Sequence, residues 1–382
     1  MRKFLILLLL ACLLGSASSF AAGVSENNKP HLNNGKKWKL AYVETAPYVN
    51  YAGSLFYLLK GLEEQGWVNG VNKMPFTWGQ TDTKLMWTYI ASQRDFSAYL
   101  EFLPDAHFSL IDMPGREDEV LKRFTQKKSA DLIIVMGTVA GKLMSVDQNL
   151  SPSMVFSTSS AVRSGIVKAD DFSGRKMVWA HTDPERYKQQ VEVFWGTFKF
   201  KTMGIVMEDS TNGRAFASID DVEAVAKSRG FKVIRKYVAS MKSPSDHDRF
   251  FKDLTTAYRE LAPQVQGFYY TIAGAQGLRP EVLRDAFQPF YDHKVPVFSQ
   301  NGDSEVRRGA LMSVVRGEYV GLGQFGATQM IKLLGGAGAD SLPQIYANPP
   351  NIALNLEVAK KIGYKPSVEI MTAADKVFQT IE

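Results

Sequence analysis

The eleven residues Asp131-Leu-Ile-Ile-Val-Met-Gly-Thr-Val-Ala-Gly141 constrain this chain most. Five apolar residues between a polar start and a Gly-Thr turn suit a strand buried on both faces, as in the middle of a parallel sheet. Gly137, Thr138, Ala140 and Gly141 are small and let the backbone approach whatever lies beyond the strand's carboxyl end. A helix is expected there, with free first-turn amides able to hold an anion or a polar ligand atom. The plan returns at Gly267-Phe-Tyr-Tyr-Thr-Ile-Ala-Gly274. Each copy precedes a second strand containing Val-Phe-Ser, at Val155 to Ser157 and at Val297 to Ser299. Polar residues follow both: Thr158, Ser159 and Ser160 in one, Gln300, Asn301 and Asp303 in the other, and then Gly165 and Gly309. The repetition predicts two α/β lobes with a cleft between them, because ligands of open parallel sheets bind at the strands' carboxyl ends.

The remaining segments fit that plan. Strands are expected at Lys39 to Val43, Met203 to Met207, Lys232 to Val238 and Leu311 to Val315, with one or two between Leu100 and Ile111. Leu55, Leu58, Leu59 and Leu62 recur at helical spacing before Gly66, and further helices are expected at 85–92, 117–126, 184–198, 218–228, 246–261, 280–292 and 318–334. Alternating strands and helices place the chain in the α/β class, as two doubly wound, Rossmann-like lobes with parallel sheets. The chain is expected to leave the first lobe near Asp170 to Arg175, giving 38–168 plus 316–343 as lobe 1 and 169–315 plus 344–382 as lobe 2.

Residues 1–21 read as a signal peptide: Arg2 and Lys3, an apolar core from Phe4 to Leu14, then Ser19-Phe20-Ala21 as a small-x-small cleavage site. The predicted location is the periplasm. Cys12 is the only cysteine and lies within that leader; Leu9-Leu10-Ala11-Cys12 leaves lipid anchoring as the alternative. A mature chain without thiols has no disulfide and no cysteine-held metal. The formal charge of +6 falls to about +4 when Arg2 and Lys3 leave, and no basic run stands out, so nucleic acid is not an expected partner.

Motifs of chemistry are lacking. Gly321-Leu-Gly-Gln-Phe-Gly326 matches GxGxxG but sits inside a late helix, where close helix packing accounts for it better than a dinucleotide. The five histidines are scattered without metal-ligand spacing, and no G-x-S-x-G elbow is present. The expectation is a protein with no catalytic residues, no metal and no cofactor; an exported enzyme is the weakest reading.

Several stretches carry a family likeness: Gly61-Leu-Glu-Glu-Gln-Gly-Trp-Val-Asn-Gly70, the 131–138 strand and turn, Ser164-Gly-Ile-Val167 and Lys294-Val-Pro-Val-Phe-Ser299. The 319–335 helix and the tail Asn351-Ile-Ala-Leu-Asn-Leu-Glu-Val-Ala-Lys-Lys-Ile-Gly363 with Ala373-Ala-Asp-Lys-Val377 extend it. Together they resemble the periplasmic solute-binding proteins of ATP-driven importers, in the branch with tryptophan- and tyrosine-binding components. The resemblance implies a type I periplasmic binding protein: two lobes joined by three crossovers, closing on a small molecule and docking, as a monomer, on an ABC permease in the inner membrane. A membrane signalling receptor is the alternative partner. This chain departs from the branch at Ser160-Ala-Val-Arg163, where an Asp-Pro pair is usual, at Ala273-Gly274, where an acidic or amide pair is usual, and in a longer stretch from Gly70 to Asp112.

The expected ligand-binding residues are Thr45, Tyr48, Thr138, Ser159 and Arg163 at strand ends of the first lobe, and Ala273, Gln276, Asn301 and Asp303 in the second. Arg163 would offer a charge-assisted contact to an anion. Tyr48 leads an aromatic group with Tyr51, Trp78, Trp87 and Tyr89 that could stack on a flat ligand. A small organic molecule, aromatic or carboxylate, is expected.

Overall fold

The computed structural model describes residues 29–240, 244–271, 282–316, 319–347 and 350–382. The expected leader with Cys12, and Ala273 and Gln276, lie outside the described residues.

The first lobe begins with β1 (Trp38–Glu44), buried from Leu40 onward, and α1 (Val49–Glu64), whose leucine stripe faces the core. Gly66 follows α1 at φ +76°, as its reading as a helix stop requires. Next comes α2 (Thr83–Ser92), where the Asp82 carboxylate accepts from Leu85 N at 2.8 Å, a cap worth about 1 kcal/mol. β2 (Leu100–Ser109) is an edge strand, a position that tolerates its Pro104, and its register with β1 shifts between Leu40 and Tyr42. α3 (Glu117–Thr125) leads into β3 (Leu132–Met136), the strand expected at the centre. All five β3 side chains are fully buried, each contributing about 1.5–3 kcal/mol relative to exposure. α4 (Thr138–Met144), β4 (Ser153–Phe156) and β5 (Val178–Ala180) complete a sheet of order β2-β1-β3-β4-β5 in which every pair is parallel.

β5 corrects the expected crossing at Asp170 to Arg175. Ser153, Met154 and Val155 of β4 pair with Val178, Trp179 and Ala180, so the chain is still in the first sheet there. Three residues are too few to show a period of two, so nothing in the sequence marks this strand.

The second lobe runs α5 (Arg186–Phe198), β6 (Thr202–Glu208), α6 (Thr211–Phe216), α7 (Ile219–Arg229), β7 (Lys232–Val238), α8 (His247–Leu261), β8 (Gly267–Tyr270), α9 (Leu283–Asp292), β9 (Val297–Ser299), α10 (Asp303–Arg307) and β10 (Met312–Arg316). α11 (Tyr319–Leu334) then returns to pack on α1. A third crossing brings β11 (Pro350–Asn355), α12 (Leu356–Lys361), α13 (Val368–Ala373) and β12 (Ala374–Phe378) into the second sheet, of order β12-β11-β10-β9-β8-β6-β7. Its β10–β11 pair is antiparallel and the others are parallel.

Two crossings run side by side. Thr182 N donates to Gln344 O at 3.0 Å, Tyr346 N donates to Thr182 O at 3.2 Å, and Ala180 N donates to the Gln344 side-chain oxygen at 3.2 Å. The buried Gln344 amide also donates to Ala169 O, at 3.0 Å. A narrow hydrogen-bonded ribbon therefore joins the lobes, and it leaves the carboxyl ends of both sheets facing one cleft.

Candidate functional site

The first-lobe wall starts at Gly137, whose φ of +92° and close surroundings admit only glycine: an added Cβ would lie 1.9 Å from Tyr51 Oη and 2.7 Å from Thr45 Oγ1. One of the first-turn amides of α4 expected to be free for a ligand is taken by the protein itself: Thr45 Oγ1 accepts from Ala140 N at 3.1 Å. Thr138 is buried, and its hydroxyl accepts from Ser159 N at 3.2 Å. Thr45 thus holds the turn between β3 and α4, and Thr138 the loop that follows β4. That loop opens with Ser157 at φ +55°, a left-handed conformation that costs a non-glycine residue about 1–2 kcal/mol. Such strain at a cleft-facing loop is typical of functional sites.

A cavity of about 140 Å³ lies against this loop. Ser159 and Arg163 line it from the first lobe, and Arg186, Tyr187 and Asp221 from the second. His181 and Thr182 of the connecting ribbon complete its rim. Arg163 is not available as expected: its guanidinium donates to Asp221 Oδ1 of α7 at 2.7 Å, and this carboxylate, only 4% exposed, raises the arginine's pKa further. The pair ties the lobes together across the cavity. Arg186 differs. Its Nε is buried without a partner among the described residues, while its guanidinium carbon lies 4.5 Å from the centre of the Tyr187 ring. The Tyr187 hydroxyl is also buried and unpartnered. His181 is buried and its Nε2–H donates to Tyr346 O at 2.9 Å; burial pushes its imidazole down to about 4, so it is neutral at pH 7.

The second-lobe wall gathers at the ends of β8 and β9. Both polar atoms of the Asn301 amide are buried without partners among the described residues, and so is the Tyr270 hydroxyl. A buried polar group left unpaired costs about 1–3 kcal/mol, a cost that a ligand can remove. Glu305 in α10 is pushed up to about 7, first by burial. Tyr48 stands at the start of α1, edge-on to Tyr51 at 5.3 Å; burial raises its phenol well above the usual value, and the nearby Glu305 carboxyl adds to the rise. The field of Glu305 in the second lobe thus reaches Tyr48 in the first. Asp303, expected at the ligand, pairs instead with Lys376 of β12 at 2.5 Å.

Of the expected residues, Ser159 and Arg163 border the cavity, and Tyr48 and Asn301 lie on opposite walls of the cleft. Thr45, Thr138 and Asp303 are engaged by the protein's own groups. Sequence reasoning passed over Arg186, Tyr187, Asp221, Tyr270 and Glu305. A signal existed for the first two. The run Asp183-Pro-Glu-Arg-Tyr187 predicts a helix start, and α5 begins two residues later, at Arg186, which leaves Asp183, Pro184 and Glu185 on the connecting ribbon and puts Arg186 and Tyr187 in the helix's first turn beside the cavity. Among the described residues no cluster of His, Cys, Asp and Glu could hold a metal ion, and no helix is long and apolar enough to cross a membrane.

Two parallel-dominated α/β sheets, joined by paired crossings and opening their strand ends on a shared polar cleft, define a two-lobed binding protein of the type I periplasmic class. The chain belongs to the ABC transporter substrate-binding protein family, whose model matches residues 115–378. In fold it is similar to a conserved domain protein from Vibrio cholerae, with TM-score 0.66 and 18% identity over 90% of this chain and 100% of that one. It is also similar to an ABC domain in complex with L-Trp from Streptococcus pneumoniae, with TM-score 0.63 and 17% identity over 90% and 100%. A ligand-free, open substrate-binding protein with adhesive properties from Clostridium difficile gives 0.62 and 18% over 90% and 99%. No curated protein matches the chain in sequence.

Proposed function

We propose that this protein is the solute-binding component of an ABC import system, exported by its leader to the periplasm. It captures a small organic ligand between its lobes and delivers it, as a monomer without chemistry of its own, to a membrane permease. The observation that carries this reading is the set of unpartnered buried polar groups on the second-lobe side of the cleft: Arg186 Nε and the Tyr187 hydroxyl at the cavity, and the Tyr270 hydroxyl with both ends of the Asn301 amide at the ends of β8 and β9. A protein interior satisfies such groups, so their recurrence along one lobe, two of them lining the cavity, favours a ligand that completes them. Tyr48, Ser159 and Asn301 are proposed as ligand contacts, with Arg163 at the cavity rim. The lobe boundaries proposed are 38–180 with 319–343, and 186–316 with 350–382.

The test is a thermal-shift screen against small metabolites. A ligand at 100 times its dissociation constant adds about 2.7 kcal/mol, enough to raise the melting temperature by several degrees. A binder that also reduces the radius of gyration supports capture by lobe closure. A turned-over compound would instead make the protein an enzyme.

A further inference from the structure

We propose that the captured solute carries a carboxylate or an equivalent small acid group, and that Arg186 rather than Arg163 receives it. This rests on the solute-binding reading and specifies the chemistry of the same cavity. Two arginines line it, and they are not equivalent. Arg163 is matched at 2.7 Å by Asp221, and its field also reaches Asp170. Arg186 makes no ion pair or hydrogen bond through its side chain among the described residues; its charge falls on the phenols of Tyr48, Tyr269 and Tyr319 and on the neutral imidazole of His181. A half-buried guanidinium offers five donors and no acceptor, so the chemistry that satisfies it is an anion with paired oxygens. The adjacent Tyr187 hydroxyl, equally unpartnered, can donate to the same group.

The acids on the cavity wall do not supply that anion. Asp221 is committed to Arg163, and Asp183 is engaged by another contact. Asp170 is raised above its usual range by burial, and the charges that work against that rise are Arg163 and Lys188, not Arg186. The cavity's size limits what accompanies the acid. About 140 Å³ is close to the roughly 150 Å³ that accommodates a benzene in an apolar protein interior, which corresponds to one six-membered ring.

The experiment uses the purified chain, unfolded and refolded to remove carried solute, and follows melting with benzoate, phenylacetate and L-phenylalanine. Benzamide, phenylacetamide and phenethylamine serve as uncharged and cationic counterparts. The expected result is stabilisation by at least one acid and none by its amide or amine. Benzoate or phenylacetate acting alone identifies a simple acid; L-phenylalanine acting alone identifies an amino acid. Arg186→Gln should weaken binding of that acid by about 10- to 100-fold, the range for a lost charged hydrogen bond, whereas Arg163→Gln should stay within about five-fold of wild type. Arg186→Lys should fall between. The ligand-free melting point of Arg186→Gln should not fall, because the change removes an unpaired cation. An amide or amine that binds as well as the acid, or an acid shift that survives in Arg186→Gln and Arg186→Lys, overturns the acid assignment and leaves solute capture standing. If none of the six compounds moves the melting point, the one-ring acid assignment falls, while solute capture is decided separately by the wider metabolite screen.

Discussion

At the scale of single residues, the clearest consequences come from groups whose surroundings fix their protonation. Glu44 ends β1, fully buried, and accepts from Tyr42 Oη at 3.0 Å and Thr83 Oγ1 at 2.6 Å. Thr83 Oγ1 lies 3.0 Å from His107 Nε2; since its one proton goes to Glu44, it accepts from the imidazole N–H. Burial pushes Glu44 up to about 7 and His107 down to about 4. The carboxyl's stabilising protonation is complete below about pH 4.5, its unfolded value, and is lost as pH rises through about 7. The imidazole works in the opposite direction: its contribution is complete above about pH 6.5 and is lost as pH falls through about 4. The two slopes oppose each other over the same interval. Glu44→Gln should therefore gain stability relative to wild type as pH rises from 5 to 8, and His107→Gln should gain as pH falls from 7 to 4.5. Paired melting curves check both, and a difference that does not change with pH would refute the assigned protonation. Thr45, Thr138 and Ser159 follow the carboxyl ends of β1, β3 and β4, and Arg163 lies further along the loop after β4, as the order of elements in the sequence predicts. The sequence did not reveal what each is spent on. A threonine hydroxyl can serve a ligand or a backbone amide with equal ease, and the partner that neutralises Arg163 is Asp221, 58 residues away in the other lobe.

At the scale of elements, legibility followed length and periodicity. The long amphipathic helices, and strands apolar from end to end such as β3, were readable because burial is repeated along them. β5 was not, because three residues carry no period; nor could the Ala140 amide of α4 be known as occupied, since Thr45 lies 95 residues before it. The GxGxxG stretch was legible for a physical reason, and the α1–α11 contact bears out its reading as close packing. A Cβ on Gly323 would stand 2.1 Å from Tyr57 O, and one on Gly326 would meet the Phe156 ring at 3.0 Å. Gly61 on the facing helix is equally tight, 2.6 Å from Gly323 O. Gly323→Ala should thus force the helices apart and lower stability by about 1–3 kcal/mol, readable as a shift in the denaturation midpoint. Gly230→Ala offers no useful control, since its φ of +75° brings a separate strain, but Gly196→Ala has open space around it and should leave stability unchanged or higher. Equal losses in Gly196→Ala and Gly323→Ala would contradict the packing account.

At the scale of the whole molecule, two side-chain contacts among the described residues join the lobes besides the connecting ribbon, and contacts of this kind set how readily the cleft opens. One is the Arg163–Asp221 pair beside the cavity. The other joins Lys376 of β12, held by Asp303, to the half-exposed ring of Trp78 in the long segment between α1 and α2, with the ammonium 5.9 Å from the ring centre. Trp78 is held in place by Tyr319 of α11, 5.2 Å away and edge-on, and by the absence of a side chain at Gly53. The additional length between Gly70 and Asp112 thus contributes a contact across the cleft. A ligand shifts an open–closed balance only through contacts made in the closed form, and a protein contact made only in that form shifts it in the same direction. An ion pair with one exposed partner contributes about 1 kcal/mol, which corresponds to roughly five-fold in the equilibrium. Arg163→Gln should therefore raise the radius of gyration of the ligand-free protein and weaken any solute by about that factor, whatever the solute's charge. Trp78→Ala should act in the same direction through the other contact. Because 0.5 M salt screens the exposed guanidinium, it should reproduce part of the Arg163→Gln effect in wild type and add little in the variant. Small-angle scattering at low and high salt measures this directly. A wild-type radius that ignores both salt and the substitution would show that the ribbon alone, and not these two contacts, holds the lobes together.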